Sequence, residues 1–387
     1  MKQTKKLEDV LKCSLEGLDA SYTASEDERR QALEDREFYS VAGKQWAGKL
    51  GEQFENKPKF ESNKVHLAVI RIINEYRNNP VTVDFISKDG VANSELADTC
   101  DALYRADEQD SDADEAYDNA FEEAVGGGMG AYRLISEYED ESDEDNDNQR
   151  IRIKPITDAD QTVFFDVNSK HQDKSDAKCA WVLTGMTPEF YEDKYGKSID
   201  SIDKSAMDYD FDWFGADVVY VAEYYEVEDV GETVYTYVSA TKEEAKFKDA
   251  DFEEDPSLKE TLSATGWTLE KTRKVKVQRV HKYIHDGTEI LEDLGYIAGR
   301  EIPIVVTYGK RWFVRGIERF MGHVRLGKDP QRLKNMQISK LAEFSALSSM
   351  QKPILIPEQV NGFAEMWRDD NINQYPYLLL NAVEDAA

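Results

Sequence analysis

Few side chains in this sequence are placed to do chemistry. His281 and His285 lie four residues apart in KVKVQRVHKYIH, on one face of a predicted strand, and Asp286 follows directly. Two imidazoles and a carboxylate could begin a metal site, but a closed site needs further converging ligands, and no spacing here supplies them. Ordinary surface or half-buried histidines are therefore expected. Asp143, Asp145 and Asp147 alternate like a calcium loop, yet Asn148 and Lys154 stand where that loop needs Gly and a bidentate Glu. The run Gly126 to Gly130 follows a predicted helix and precedes a strand, the reverse of the order that aims amide donors at phosphate, so a helix stop and flexible joint are expected. No nucleophile elbow, zinc-protease or P-loop motif occurs, and five histidines offer few general bases. Neither an enzyme nor a cofactor is expected. Cys13, Cys100 and Cys179 are too scattered for a disulfide framework or zinc site, which fits a reducing compartment.

Charge is more informative. The 387 residues carry 48 Lys+Arg against 78 Asp+Glu, a net of −30, which excludes a generic DNA-coating protein. From Arg300 to Lys352 the balance reverses: eleven cations oppose four acids, a local +7, so the other 334 residues carry −37. MKQTKKLEDVLK runs into acids rather than an apolar signal core, and no apolar run approaches the ~20 residues of a membrane span. A soluble intracellular product is expected, with no membrane partner.

The elements read as α+β. Residues 4 to 45 predict two helices broken near Tyr22 to Ala24, because Ser25 and Glu28 form an S-x-x-E capping signal. Asn63 should cap a third helix ending before Pro80, and VTVDFIS should be a half-buried strand turning at Asp89-Gly90. Helices follow between Ser94 and Val125. AYRLISEY and RIRIKPI predict two strands around the acidic loop Glu139 to Asn148, taken as a solvated hairpin tip. Short strands then run through TVFFDV, KCAWVLTGM, VVYVAEYYEVE, TVYTYVSA and KVKVQRVHKYIH, with TPEFYEDKYG as a helix.

In the basic segment, IPIVVTYGKRWFV predicts two strands about a Tyr308-Gly309 turn. Asp329 and Pro330 then supply an N-cap and N1 proline for a helix of about 20 residues. On its wheel Leu333, Met336, Phe344 and Leu347 share a face, with Leu341 at the edge and Ala342, Ser345 and Ser349 opposite. An ordinary core helix is one reading; packing between identical neighbours is the other.

The stretch from Gly299 to Phe363, together with SYTASEDERRQALEDREFYSVAGKQW, IRIINEYRNNPVTVDFISKDG and DVNSKHQDKSDAKCAWV in the same order, resembles the portal proteins of short-tailed, headful-packaging bacteriophages. The resemblance covers essentially the whole chain. It implies a twelve-subunit ring at one capsid vertex that passes double-stranded DNA, partnered by terminase, the major capsid protein and a tail adaptor, and located in the virion and, before assembly, in host cytoplasm. It divides the chain into a wing-like α+β region (1–324), a first stem helix (325–350) and the beginning of a clip (351–387). Relatives continue past the position of Ala387 through a second stem helix and crown, so these residues alone are expected to form monomers or loose oligomers. Arg325, Lys328, Arg332, Lys334 and Lys340 become candidates for the DNA channel or a subunit interface, or for pairing with acids elsewhere in the chain. The alternatives from other classes are an acidic DNA mimic or structural interaction protein without a channel, and a calcium-dependent structural module.

Overall fold

The computed structural model describes residues 2–55, 57–87, 94–139, 148–197, 209, 211–215, 217–239, 244–248, 252, 257–347, 355–373 and 376–382. The Asp89-Gly90 turn and most of the acidic loop, with Asp143, Asp145 and Asp147, lie outside them. In chain order the elements are α1 (Lys2–Ser40), α2 (Lys49–Gln53), α3 (Lys64–Asn78), α4 (Ser94–Asp110), α5 (Ala113–Gly126), β1 (Met129–Tyr138), β2 (Gln149–Ile156), α6 (Ala159–Thr162), β3 (Val163–Phe165), β4 (Cys179–Met186), α7 (Pro188–Tyr195), β5 (Val219–Val238), β6 (Glu244–Lys248), α8 (Leu258–Ala264), β7 (Thr268–His285), β8 (Ile290–Ile297), β9 (Ile304–Tyr308), β10 (Lys310–Val314), β11 (Ile317–Met321), α9 (Val324–Leu347), α10 (Pro357–Val360) and α11 (Ala364–Asn373). The fold is α+β. Two compact units are present: one comprises Met1–Glu37 with Ala68–Arg325, the other Phe38–Leu67 with Leu326–Ala387.

In the first unit every strand pairing is antiparallel. One sheet runs β3-β4-β5-β7-β8 with β6 on β5, another runs β2-β1-β9, and β10-β11 form a hairpin. VVYVAEYYEVE and TVYTYVSA merge into the single strand β5, because β7 pairs with it from Ala222 to Val238. Its first half is core on both faces: Ala222 and Tyr224 join Trp181, Trp213 and Tyr283, while Tyr225 joins Val182 and Val280. Its second half, with β6 and the start of β7, continues the ladder beyond that core.

Helix α1 is continuous through the predicted break. Ser25 makes no cap; its hydroxyl donates back to the Ser21 carbonyl at 2.7 Å and accepts from Arg29 Nε at 2.8 Å, so the residue that reads as a start signal is spent inside the helix. Leu15 and Leu18 bury that helix against Phe164, Trp181 and Leu183. Each such leucine contributes on the order of 2 kcal/mol. Ser14 adds a polar lock: its Oγ accepts from Trp181 Nε1 at 2.8 Å and lies 2.8 Å from His285 Nε2. The Gly287 amide, an obligate donor, points at His285 Nδ1 from 3.2 Å, which fixes the proton on Nε2. His285 is thus buried, not a surface residue, and burial pushes it down to about 4. His281 is instead 2.6 Å from Asp293, so the two imidazoles serve different partners. Among the described residues no cluster of three potential metal ligands forms.

Two further expectations change. Residues 81–87 form no strand: Val81, Val83, Phe85 and Ile86 are all exposed, and the segment is held to α4 by the Phe85 amide on Asp101 at 2.9 Å. The glycine run does stop α5, but it is a site of close packing rather than a loose joint. A Cβ on Gly130 would stand 2.0 Å from the Ala120 carbonyl oxygen, and one on Gly322 2.4 Å from that of Gly126. Backbone rests on backbone there, which only glycine permits.

Candidate functional site

Three cations of the basic segment are paired with acids of the first unit. Arg319 reaches Glu28 Oε1 at 2.7 Å, Arg325 reaches Glu28 Oε2 at 2.9 Å and Asp35 Oδ2 at 2.8 Å, and Arg311 pairs with Glu318. Asp35 is fully buried and Glu28 nearly so. Burial pulls the Arg325 guanidinium down, but hydrogen bonds and charge from Asp35 and Glu28 together outweigh it and hold it above its ordinary range. Arg325 thus pairs with acids of its own chain. These contacts also explain why α9 begins at Val324 with Pro330 inside it, rather than at Asp329. Val324 is fully buried and Arg325 is fixed by two carboxylates, so tertiary contacts override the local capping signal.

In the second unit α9 holds the preceding chain through polar groups. Gln331, Asn335 and Ser339 recur every four residues and are all buried. Gln331 Nε2 donates to the Ser62 carbonyl and to Asn335 Oδ1, both at 2.8 Å, and its Oε1 accepts from the Lys64 amide at 3.1 Å. Asn335 Oδ1 accepts from the Ser62 amide at 3.1 Å, while its Nδ2 donates to Gln45 Oε1 at 2.5 Å. Ser339 Oγ accepts from the Phe60 amide at 3.0 Å. Residues 60–64 are thereby hydrogen-bonded rung by rung, and Asn63 caps α3 through its Oδ1 on the His66 amide at 3.0 Å, as the sequence predicts.

The apolar residues of α9 face the other way. At 100° per residue Leu326, Leu333 and Phe344 lie within about 20° of one another and roughly opposite Asn335, with Leu341 beside them. Their exposures are 67%, 51%, 71% and 67% respectively. Lys340 shares this exposed stripe, while Lys334 flanks it half-buried; among the described residues neither has a carboxylate in ion-pairing range. Lys328 and Arg332 lie over the Phe38 ring at 5.8 and 5.3 Å, and Arg332 makes only a long 3.9 Å contact with exposed Asp329. The five cations singled out from the sequence thus separate into one buried ion pair, two stacked on an aromatic ring and two near an open apolar stripe. The buried polar ladder escapes the sequence reading, although an i, i+4, i+8 run of Gln, Asn and Ser is a readable signal.

Comparison with known proteins agrees with the resemblance. The profile of the family described as "Phage P22-like portal protein" matches residues 15–387. A curated relative, "Portal protein" of Acyrthosiphon pisum secondary endosymbiont phage 1, is 36% identical over 377 residues, which are 95% of this chain and 52% of the relative. The chain spans about half the length of the curated relative it matches. With a profile match over nearly its whole length, the chain belongs to the P22-like phage portal protein family.

Proposed function

We propose that this chain works as a phage portal protein, part of a twelve-fold ring at one capsid vertex through which double-stranded DNA enters and leaves. The observation that carries the reading is helix α9, whose polar face is consumed by its own chain while Leu326, Leu333, Leu341 and Phe344 stay exposed. A helix so arranged is finished only by packing against something outside its own unit, and in a cyclic assembly that is a neighbour. Residues 1–324 would be the wing, 325–350 the first stem helix and 351–387 the start of the clip. Terminase, the major capsid protein and a tail adaptor would be the partners, in the virion and, before assembly, in the host cytoplasm. The family is structural, and the work is conduction rather than catalysis.

Of the five basic candidates, Lys334 and Lys340 are those placed to meet a neighbouring subunit or DNA, and Arg325 holds the fold. The test is Leu333→Asp with Phe344→Asp in the full-length protein. Ring mass by light scattering should collapse while the melting temperature of the unassembled subunit stays within a few degrees; intact rings would refute the reading. Replacing Arg332, Lys334 and Lys340 by Gln, with ring assembly and DNA per capsid measured separately, distinguishes a channel-lining role from an interfacial one.

A further inference from the structure

The lysine-rich strand remains unexplained by this reading. β7 carries Lys271, Arg273, Lys274, Lys276, Arg279 and Lys282 against the single acid Glu270. Its outer half belongs to a three-stranded extension, and the register decides which side chains share a face. Lys246 of β6, Thr236 of β5 and Lys271 of β7 lie in one cross-strand row, and Lys248, Val234 and Arg273 in the next row on the same face. All four cations are exposed. The opposite face is closed by an aromatic cluster, where Phe252 packs on Tyr235 at 5.3 Å and Tyr237 packs on Phe247 at 5.8 Å.

The open face is therefore a shallow trough. Its floor is Val234 and Thr236, short and uncharged, and its walls are two pairs of cations about 10 Å apart across the central strand, repeating every ~7 Å along it. Glu232, further along the floor, is already engaged by Lys248 at 3.4 Å and Arg279 at 2.5 Å. Among the described residues Lys246, Lys271 and Arg273 have no carboxylate in ion-pairing range. Glu244 stands in the next row of that face, opposite Val238, so by register four cations outnumber the two acids Glu232 and Glu244, and at physiological salt charges beyond about 8 Å add little.

We infer that this face of β6, β5 and β7 is a docking surface for the backbone of double-stranded DNA, sequence-independent, with Lys246, Lys248, Lys271 and Arg273 flanking a phosphate chain laid along β5. The inference rests on the reading of the chain as a portal protein only in taking DNA as the polyanion it meets; it adds a contact outside the stem helix. Double cation rows about a neutral floor favour a continuous line of phosphates over an acidic protein loop, whose charges are scattered in direction.

The test is fluorescence anisotropy with a 30-base-pair duplex and the 387-residue chain, from 20 to 200 mM NaCl. The triple variant Lys246→Gln, Lys271→Gln, Arg273→Gln should lower the magnitude of the log affinity against log salt slope by about 2 to 3, at about 0.9 for each phosphate no longer neutralised. Lys246→Arg with Lys271→Arg should keep the parental slope, because charge is retained while the side-chain type changes. An unchanged slope in the first variant, or no binding by the parent at 20 mM salt, would overturn the inference. So would a triple variant whose only change is in oligomer mass, which would make an acidic protein surface the occupant. Ring mass and DNA per capsid of the full-length triple variant, measured in parallel, show whether the portal reading itself stands: normal rings with lost DNA binding support the docking surface, and normal rings with unchanged DNA binding overturn it alone.

Discussion

Acidification should expose the buried histidine. In the folded chain His285 receives the Gly287 amide on Nδ1 and faces Ser14 with Nε2, so a second ring proton would point one donor at another inside a core that excludes water. Burial holds it down to about 4, against an ordinary 6.5, with neighbouring Asp286 resisting only in part. Above pH 6.5 both folded and unfolded histidine are neutral and nothing is lost. Below it the unfolded chain takes a proton that the folded chain refuses, so stability falls with pH until the folded group also titrates near 4. At about 1.4 kcal/mol per tenfold difference in proton affinity, the loss is about 2 kcal/mol at pH 5 and about 3 kcal/mol at full extent. The assay is urea unfolding of the parent and of His285→Gln at pH 7.5 and pH 5. Because acidic groups elsewhere are common to both, the stability gap between parent and variant should shrink by about 2 kcal/mol on acidification. A gap equal at both pH values would refute the assignment of a buried, neutral imidazole.

Four other substitutions test contacts described above. Gly130→Ala should destabilise by at least about 3 kcal/mol, read as a lower melting temperature, since its Cβ meets a carbonyl that cannot yield. Asn335→Leu, of similar volume, should cost about 2 to 3 kcal/mol in urea by orphaning the Ser62 amide and removing one of the two donors to Gln45 Oε1, whereas Lys340→Gln should change stability by less than about 0.5 kcal/mol. Ser25→Ala should cost about 1 to 3 kcal/mol in urea by leaving the buried Arg29 Nε without its acceptor, and should leave the helical content of α1 unchanged by circular dichroism; a loss of helix on substitution would restore the predicted break.

Local signals are legible wherever a local contact settles the structure. Asn63 caps α3, TPEFYEDKYG holds helix α7, and AYRLISEY pairs with RIRIKPI, all as spacing and residue type predict. Signals fail where partners distant in sequence decide. Pro330 looks like a helix start until Arg325 is seen to be gripped by Glu28 and Asp35, almost three hundred residues away. VTVDFIS alternates like a strand, but alternation cannot say whether a ladder partner exists, and among the described residues none does. The apolar positions of α9 are readable from its wheel; which way they face is not, because burial of Gln331 and Asn335 depends on Ser62 and Gln45 presenting matching groups. Likewise the basic segment is visible as composition, whereas the pairing of three of its cations with acids requires the fold.

The two sides of α9 differ in mechanical character. Hydrogen bonds that Gln331, Asn335 and Ser339 accept from the amides of Lys64, Ser62 and Phe60 are directional and indexed, so a slip by one residue breaks every rung at once. An apolar stripe is less strictly indexed: burial is non-directional, so a partner that moves from one groove to the next loses less than the keyed side loses by a one-residue slip. One helix therefore carries a stiff, keyed joint on one side and a compliant bearing on the other. Whatever rests on Leu326, Leu333, Leu341 and Phe344 can shift axially without disturbing the fold that holds the helix in place.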